Sequence, residues 1–180
     1  MSVQKQIKNS TLRMEKADVT ATEVDAVVFY ARSDLKLGSG FGNAIALRGG
    51  PTVRKELENL GPLNVTEAVF TTAGTMKAKH IIHACGPKFQ EINTDQKLKA
   101  TIINTLKVAE SIGTESIAFP PMGAGFYGVP IDTSAKITID TIKDYLNNGS
   151  EIKDVLICAN DSREYKALLA QMNVQQPKAV

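Results

Sequence analysis

"DAVVFYARSDLKLGSGFG", residues 25–42, runs from an apolar strand pattern through an arginine into a glycine-rich turn. Its core "AVVF", residues 26–29, is continuously apolar rather than alternating, as strands covered on both faces are. Similar short runs occupy residues 68–72, 81–84, 116–119 and 154–158, and two more are expected over 7–10 and 12–16. Helical patterns lie between them. One opens at Pro51 and Thr52 and is stopped by Gly61-Pro62, one spans 94–111 and ends at Gly113, one starts with Asp132 as N-cap, and one covers 162–172. Strands alternating with helices at this spacing predict a three-layer α/β/α sandwich with a mixed, mostly parallel central sheet. In such sheets ligands sit beyond the carboxyl ends of the strands, where the quoted turn lies.

The chain has 180 residues and is 43% hydrophobic, enough for one core, so residues 7–174 read as a single domain with flexible ends at 1–6 and 175–180. Lysine and arginine number 21 against 19 acidic residues, and the net charge of +2 does not advertise nucleic acid or anionic membrane as a partner. The opening "MSVQKQ" lacks an apolar signal core and no apolar run is long enough to span a bilayer, so a soluble, cytoplasmic protein is expected. Cys85 and Cys158 are far apart and read as buried free thiols. His80 and His83 face opposite sides of one extended strand and cannot share an ion, so no metal site is expected.

Two strands end in glycine-rich turns leading into helices: "LGSGFGNAI", residues 37–45, and "PPMGAGFYGVP", residues 120–130. Glycine lets main chain approach a phosphate closely, and successive N–H groups at a helix start form an anion-binding concavity without lysine. Facing turns of this kind suit a diphosphate gripped from both sides. Neither turn matches GxxxxGK[ST], and neither fits GxGxxG followed by an acidic residue about 20 positions on, which disfavours a triphosphatase P-loop and a dinucleotide dehydrogenase.

These stretches together resemble a macro domain, the ADP-ribose-binding module. The resemblance covers residues 14–169 and rests on "ADVT" (17–20), "EVDAVV" (23–28), "GSGFGNAI" (38–45), "AKHIIHACGP" (78–87) and "SIAFPPMGAGFYGVP" (116–130). The segment "GNAIALRGGPTVRKELENLGPLNV" is also similar to the non-catalytic macro modules of histone variants. The resemblance implies that Asp18 accepts a hydrogen bond from the adenine amino group, with the backbone of Val19 against the ring. A turn or capping role is the alternative for Asp18. It further implies that Gly38, Ser39, Gly40, Phe41 and Gly42 form the first diphosphate loop, and that Gly123, Ala124, Gly125, Phe126 and Tyr127 form the second, with an aromatic as cover.

Two positions depart from the family pattern. Macro domains that hydrolyse ADP-ribosyl bonds or process O-acetyl-ADP-ribose carry Asn-Ala-Ala-Asn before the first loop, where this chain has Phe29, Tyr30, Ala31 and Arg32. The last asparagine contacts the distal ribose and orients water, and arginine cannot accept a hydrogen bond. Arg32 either contacts a ligand phosphate or pairs with Asp34 to brace the loop. Asn160 stands where many relatives stack an aromatic on adenine, which implies weaker hold on the base. No catalytic residue and no cofactor are expected. The expected function is binding of ADP-ribose or a related nucleotide, free or on a modified protein, without efficient catalysis. The alternatives are an ADP-ribosyl hydrolase or O-acetyl-ADP-ribose deacetylase using substrate-assisted water activation, and a poly(ADP-ribose) or RNA binder resting on Arg32, Arg48 and Arg54.

Overall fold

The computed structural model describes residues 3–173. Seven strands among them, β1 (Val3–Ile7), β2 (Ser10–Lys16), β3 (Ala26–Tyr30), β4 (Ala68–Thr72), β5 (His80–Ala84), β6 (Ser116–Phe119) and β7 (Asp154–Ala159), form one sheet in the order β1-β2-β7-β6-β3-β5-β4. Neighbours from β2 to β5 pair in parallel, and β1 and β4 join antiparallel at the two edges. Five helices flank the sheet: α1 (Phe41–Gly49), α2 (Pro51–Glu58), α3 (Thr94–Ser111), α4 (Ile131–Asn147) and α5 (Ser162–Met172).

The uninterrupted apolar reading of β3 follows from burial on both faces. Ala26, Val28 and Tyr30 join a core with Leu98, Ile102 and Leu106 of α3, Ile139 and Ile142 of α4 and Leu168 of α5. Val27 and the following Ala31 face the other way, into a second core with Ile45 of α1 and Val53 and Leu57 of α2. These two cores are the two interfaces of an α/β/α sandwich. At the amino ends of the strands Asp25 acts as a bracket. Its Oδ2 accepts from the amides of Glu115 and Ser116 at 2.9 and 3.1 Å, tying the entry of β3 to that of β6.

Three boundaries differ from the sequence reading. The strand expected over 7–10 is instead the turn of a hairpin, in which Lys8 and Asn9 connect β1 to β2 and Lys8 takes φ 50°. Residues 3–6, expected to fray, are therefore paired in β1, with Val3 opposite Met14. Lys-Asn is a poor turn signal beside Asn-Gly, and the polar "QKQ" of an edge strand hides its pairing. The third difference is Asp132, which lies in the first turn of α4 rather than at its cap; Pro130 holds the N-cap position, its carbonyl accepting from Ser134 N at 2.9 Å. The tail 175–180 lies outside the described residues. Among those residues, no helix is long and apolar enough to cross a membrane.

Cys85 and Cys158 are buried and free. His83 is also enclosed, sharing a 2.9 Å hydrogen bond between its Nε2 and Thr71 Oγ1, while its Nδ1 has no partner among the described residues. His80, three residues earlier, packs edge-on to Phe70 instead. Burial pushes the His83 imidazole down from 6.5 to about 4. The unfolded chain therefore binds a proton at His83 that the folded chain refuses, so stability falls as pH drops from about 6.5 towards 4. The expected loss from this group is about 2 kcal/mol at about pH 5 relative to neutrality. Urea unfolding of wild type and His83→Gln at the two pH values checks it: the variant is expected to lose less stability on acidification than the wild type.

Candidate functional site

A cleft of about 390 Å³ opens above the carboxyl ends of β3, β6 and β7. One wall is Gly38, Ser39, Gly40, Phe41 and Gly42; the facing wall is Gly123, Ala124, Gly125, Phe126 and Tyr127. Phe29 and Tyr30 of β3, with Pro120 and Pro121 after β6, line it between them. Val19 and Thr20 from the turn after β2, and Asn160 and Asp161 after β7, also line it. The two glycine turns, 80 and more residues apart in sequence, thus meet because β3 and β6 are adjacent and parallel.

The first wall is built from a tight loop and an open helix end. After β3 the chain turns at Arg32, whose carbonyl accepts from Leu35 N at 3.0 Å, and Leu63 N donates to Ser33 O at 2.8 Å. Helix α1 begins inside the sequence read as a loop, at Phe41, so Gly42 is helical. A Cβ on Gly42 would lie 1.5 Å from the Leu37 carbonyl oxygen, so only glycine lets the loop close over the helix start. Gly40 is the N-cap residue and has no side chain to satisfy the first N–H groups of α1. An uncapped helix start of this kind favours an anion, through free donors and the positive end of the helix dipole.

The second wall is anchored from α4. Met122 N donates to Thr138 Oγ1 at 3.2 Å and Ser134 Oγ donates to Met122 O at 2.6 Å, both in the core. Beyond this anchor the chain forms a 3-10 turn, Gly125–Tyr127, closed by Gly128 N donating to Gly125 O at 2.9 Å, and Val129 N donates to Gly123 O at 3.0 Å across the base of the loop. The adjacent aromatics divide their work. Phe126 is 88% exposed at the mouth, edge-on to Tyr127. Tyr127 is half-buried, its ring 4.6 Å from that of Tyr30. Burial raises the pKa of both phenols, which therefore remain protonated donors at neutral pH.

Arg32 makes the loop-bracing pair with Asp34. Its Nη2 donates to Asp34 Oδ2 at 2.9 Å, and Asp34 Oδ1 also accepts from Lys36 N, so the pair braces the loop. Arg32 also lines the cleft beside Gly38, with its side chain 52% exposed. Of the residues selected for the nucleotide site, Asp18 alone is outside the lining. Its Oδ1 accepts from the amide and hydroxyl of Thr20, capping the 3-10 turn Val19–Ala21, and its Oδ2 meets Arg48 Nη2 at 3.1 Å.

The sequence places α5 at 162–172, as found, but its cap residues are not among those selected for the site. Asp161 caps it, accepting from Glu164 N at 2.8 Å, and Glu164 Oε2 accepts in return from Asn160 N at 2.6 Å. This is close to the reciprocal pattern of a capping box, and D-x-x-E at 161–164 was its signal in the sequence. Arg163, also in the lining, stands 4.0 Å from Asp161. Among the described residues, the cleft lining includes no histidine, cysteine or lysine, and its two carboxylates are engaged in the α5 cap.

The sequence model of the macro domain family, described as "Macro domain", matches residues 30–138, from the end of β3 through the first turns of α4. The chain belongs to the macro domain family. A macro domain-containing protein of Caldanaerobacter subterraneus subsp. tengcongensis is 38% identical over 161 residues, covering 86% of this chain and 91% of that protein. An O-acetyl-ADP-ribose deacetylase of Escherichia fergusonii is 33% identical over 171 residues, covering 90% of this chain and 97% of the relative. Among solved structures, the Oceanobacillus iheyensis macrodomain with ADP superposes with a TM-score of 0.90 at 25% identity, covering 96% of this chain and 95% of that one. The sandwich expected from the sequence is thus the architecture of this macro domain.

The contact at Gly42 yields a direct test of the first wall. Gly42→Ala is expected to destabilise this macro domain by about 3 kcal/mol or more, because backbone rather than a flexible side chain must yield. Chemical denaturation compared with Ala44→Gly, an ordinary helix substitution costing about 1 kcal/mol, checks the size of the effect.

Proposed function

We propose that the cleft binds ADP-ribose or a closely related nucleotide, with its diphosphate held between the two loops and no efficient hydrolysis following. The observation that carries this reading is the uncapped start of α1 at Gly40, set across one cleft from the 3-10 turn Gly125–Tyr127. Backbone N–H groups on one side and an aromatic-covered glycine loop on the other suit a diphosphate. The Oceanobacillus iheyensis macrodomain, whose fold this chain shares, has been solved with ADP and, as a variant, with ADPR. At the base end, Val19 and Thr20 offer backbone and apolar contact, and Asp18 retains lone pairs beyond those used by Thr20 and Arg48.

Attack by water at the distal ribose needs a group that can accept a proton or orient the water, and Arg32 is a donor only. Asp34 is tied to Arg32, and Asp161 and Glu164 are tied into the α5 cap. A second reading is favoured by the similarity to the Escherichia fergusonii deacetylase: hydrolysis of O-acetyl-ADP-ribose with the ligand's own diphosphate activating water.

Calorimetry with ADP-ribose tests the first reading. The wild type is expected to bind in the micromolar class and Gly125→Glu to lose at least about tenfold in affinity, since the new carboxylate enters open space beside the loop and repels the diphosphate. No heat from the wild type overturns the reading. In parallel, O-acetyl-ADP-ribose turnover is expected to match buffer alone; turnover above buffer that Gly125→Glu removes establishes the second reading.

A further inference from the structure

Tyr30 has a position that the two loops do not account for. It ends β3 with its ring in the core and its hydroxyl donating to the carbonyl of Pro87, in the segment that follows β5. Gly86 is shaped around it: a Cβ there would fall 2.1 Å from the Tyr30 hydroxyl oxygen. The ring packs at 4.6 Å against Tyr127 of the second loop, and the hydroxyl also lies 3.4 Å from where a Cβ of Gly123 would stand. The segment after β5 closes the circuit, because Phe89 N donates to Tyr127 O at 2.9 Å.

We propose that Tyr30 is a positioning residue that sets the second glycine loop at the spacing a diphosphate requires, joining it to β3 through its ring and to the segment after β5 through its hydroxyl. The inference rests on the reading of the cleft as a diphosphate site and adds to it the residue that fixes the loop-to-loop gap. Three elements converge on one side chain. β3 supplies the post, Pro87 holds its tip, and Tyr127 leans on its face. Without the hydroxyl, Pro87 O loses its donor and the segment carrying Phe89 is free to shift. Tyr127, hydrogen-bonded to Phe89, follows it. The consequence is local: the second wall moves relative to the first, while the turn carrying Val19, anchored through Asp18, Thr20 and Arg48, does not.

That locality separates positioning from plain stability. Tyr30→Phe keeps the ring and removes only the hydroxyl. Titrations followed by NMR are expected to show ADP binding weakened by about tenfold, with adenosine, which has no phosphate, bound as by the wild type. The melting temperature is expected to fall by no more than about 4 °C. Gly86→Ala, outside the cleft lining, sets a Cβ against the Tyr30 hydroxyl and displaces it without altering any wall residue; the same split between ADP and adenosine is expected, so the proposal stays testable if Tyr30→Phe does not fold. ADP bound by Tyr30→Phe as tightly as by the wild type, or equal losses for ADP and adenosine, overturns the role of Tyr30 alone. A wild type that binds neither ADP nor ADP-ribose overturns the diphosphate reading and this proposal together.

Discussion

The parallel ladder between β3 and its two neighbours is the constraint on which everything else rests. β3 pairs with β5 from Ala26 opposite His80 to Tyr30 opposite Ala84, and with β6 from Ala26 opposite Ile117. Because the strands run the same way, their carboxyl ends emerge on one side of the sheet, and the connections leaving β2, β3, β6 and β7 there all contribute to the cleft. The glycine loops are adjacent for this reason rather than through contacts of their own. Burial on both faces holds the register, since a one-residue slip would exchange the α1–α2 face of β3 for the α3–α5 face. Asp25 secures the same alignment from the far end.

Much of this was legible in the sequence because the relevant signals are local and strong. The continuous apolar runs of β3, β5, β6 and β7, and the glycine clusters after β3 and β6, announce both the sheet and the side on which it works. What stayed hidden depends on partners distant in the chain. "VQKQI" contains two apolar residues in five and becomes a strand only because β2 pairs with it. The start of α1 within "GSGFGNAI" is invisible to pattern, since glycines argue against a helix and only the approach of Leu37 O to Gly42 explains why they are there.

At the site, residue types were easier to read than residue duties. The residues selected for the nucleotide site, Asp18 excepted, line one cleft, and both departures from the family pattern, Arg32 and Asn160, are among them. Arg32 both braces a loop and faces the cleft, because a guanidinium has donors enough for a carboxylate and still a face for solvent. Tyr30, two residues before it in the same replaced motif, contacts Pro87 after β5 and Tyr127 of the second loop. Nothing in "AVVFYAR" tells a core tyrosine from a supporting one. The difference lies in Pro87 and Tyr127, which are 57 and 97 positions further along the chain.

The contrast between the two helix starts at the cleft has a geometric consequence. α5 begins with Asp161 accepting from Glu164 N and with the Glu164 carboxylate in its first turn, whereas α1 begins with glycine and has no side-chain cap. A dipolar molecule entering the cleft therefore finds one attractive pole and one that has been neutralised, and the two ends of the cavity are not interchangeable. The fold in this way gives the cleft a heading, so that a ligand with one charged segment and one flat apolar end has a single orientation in which both are matched.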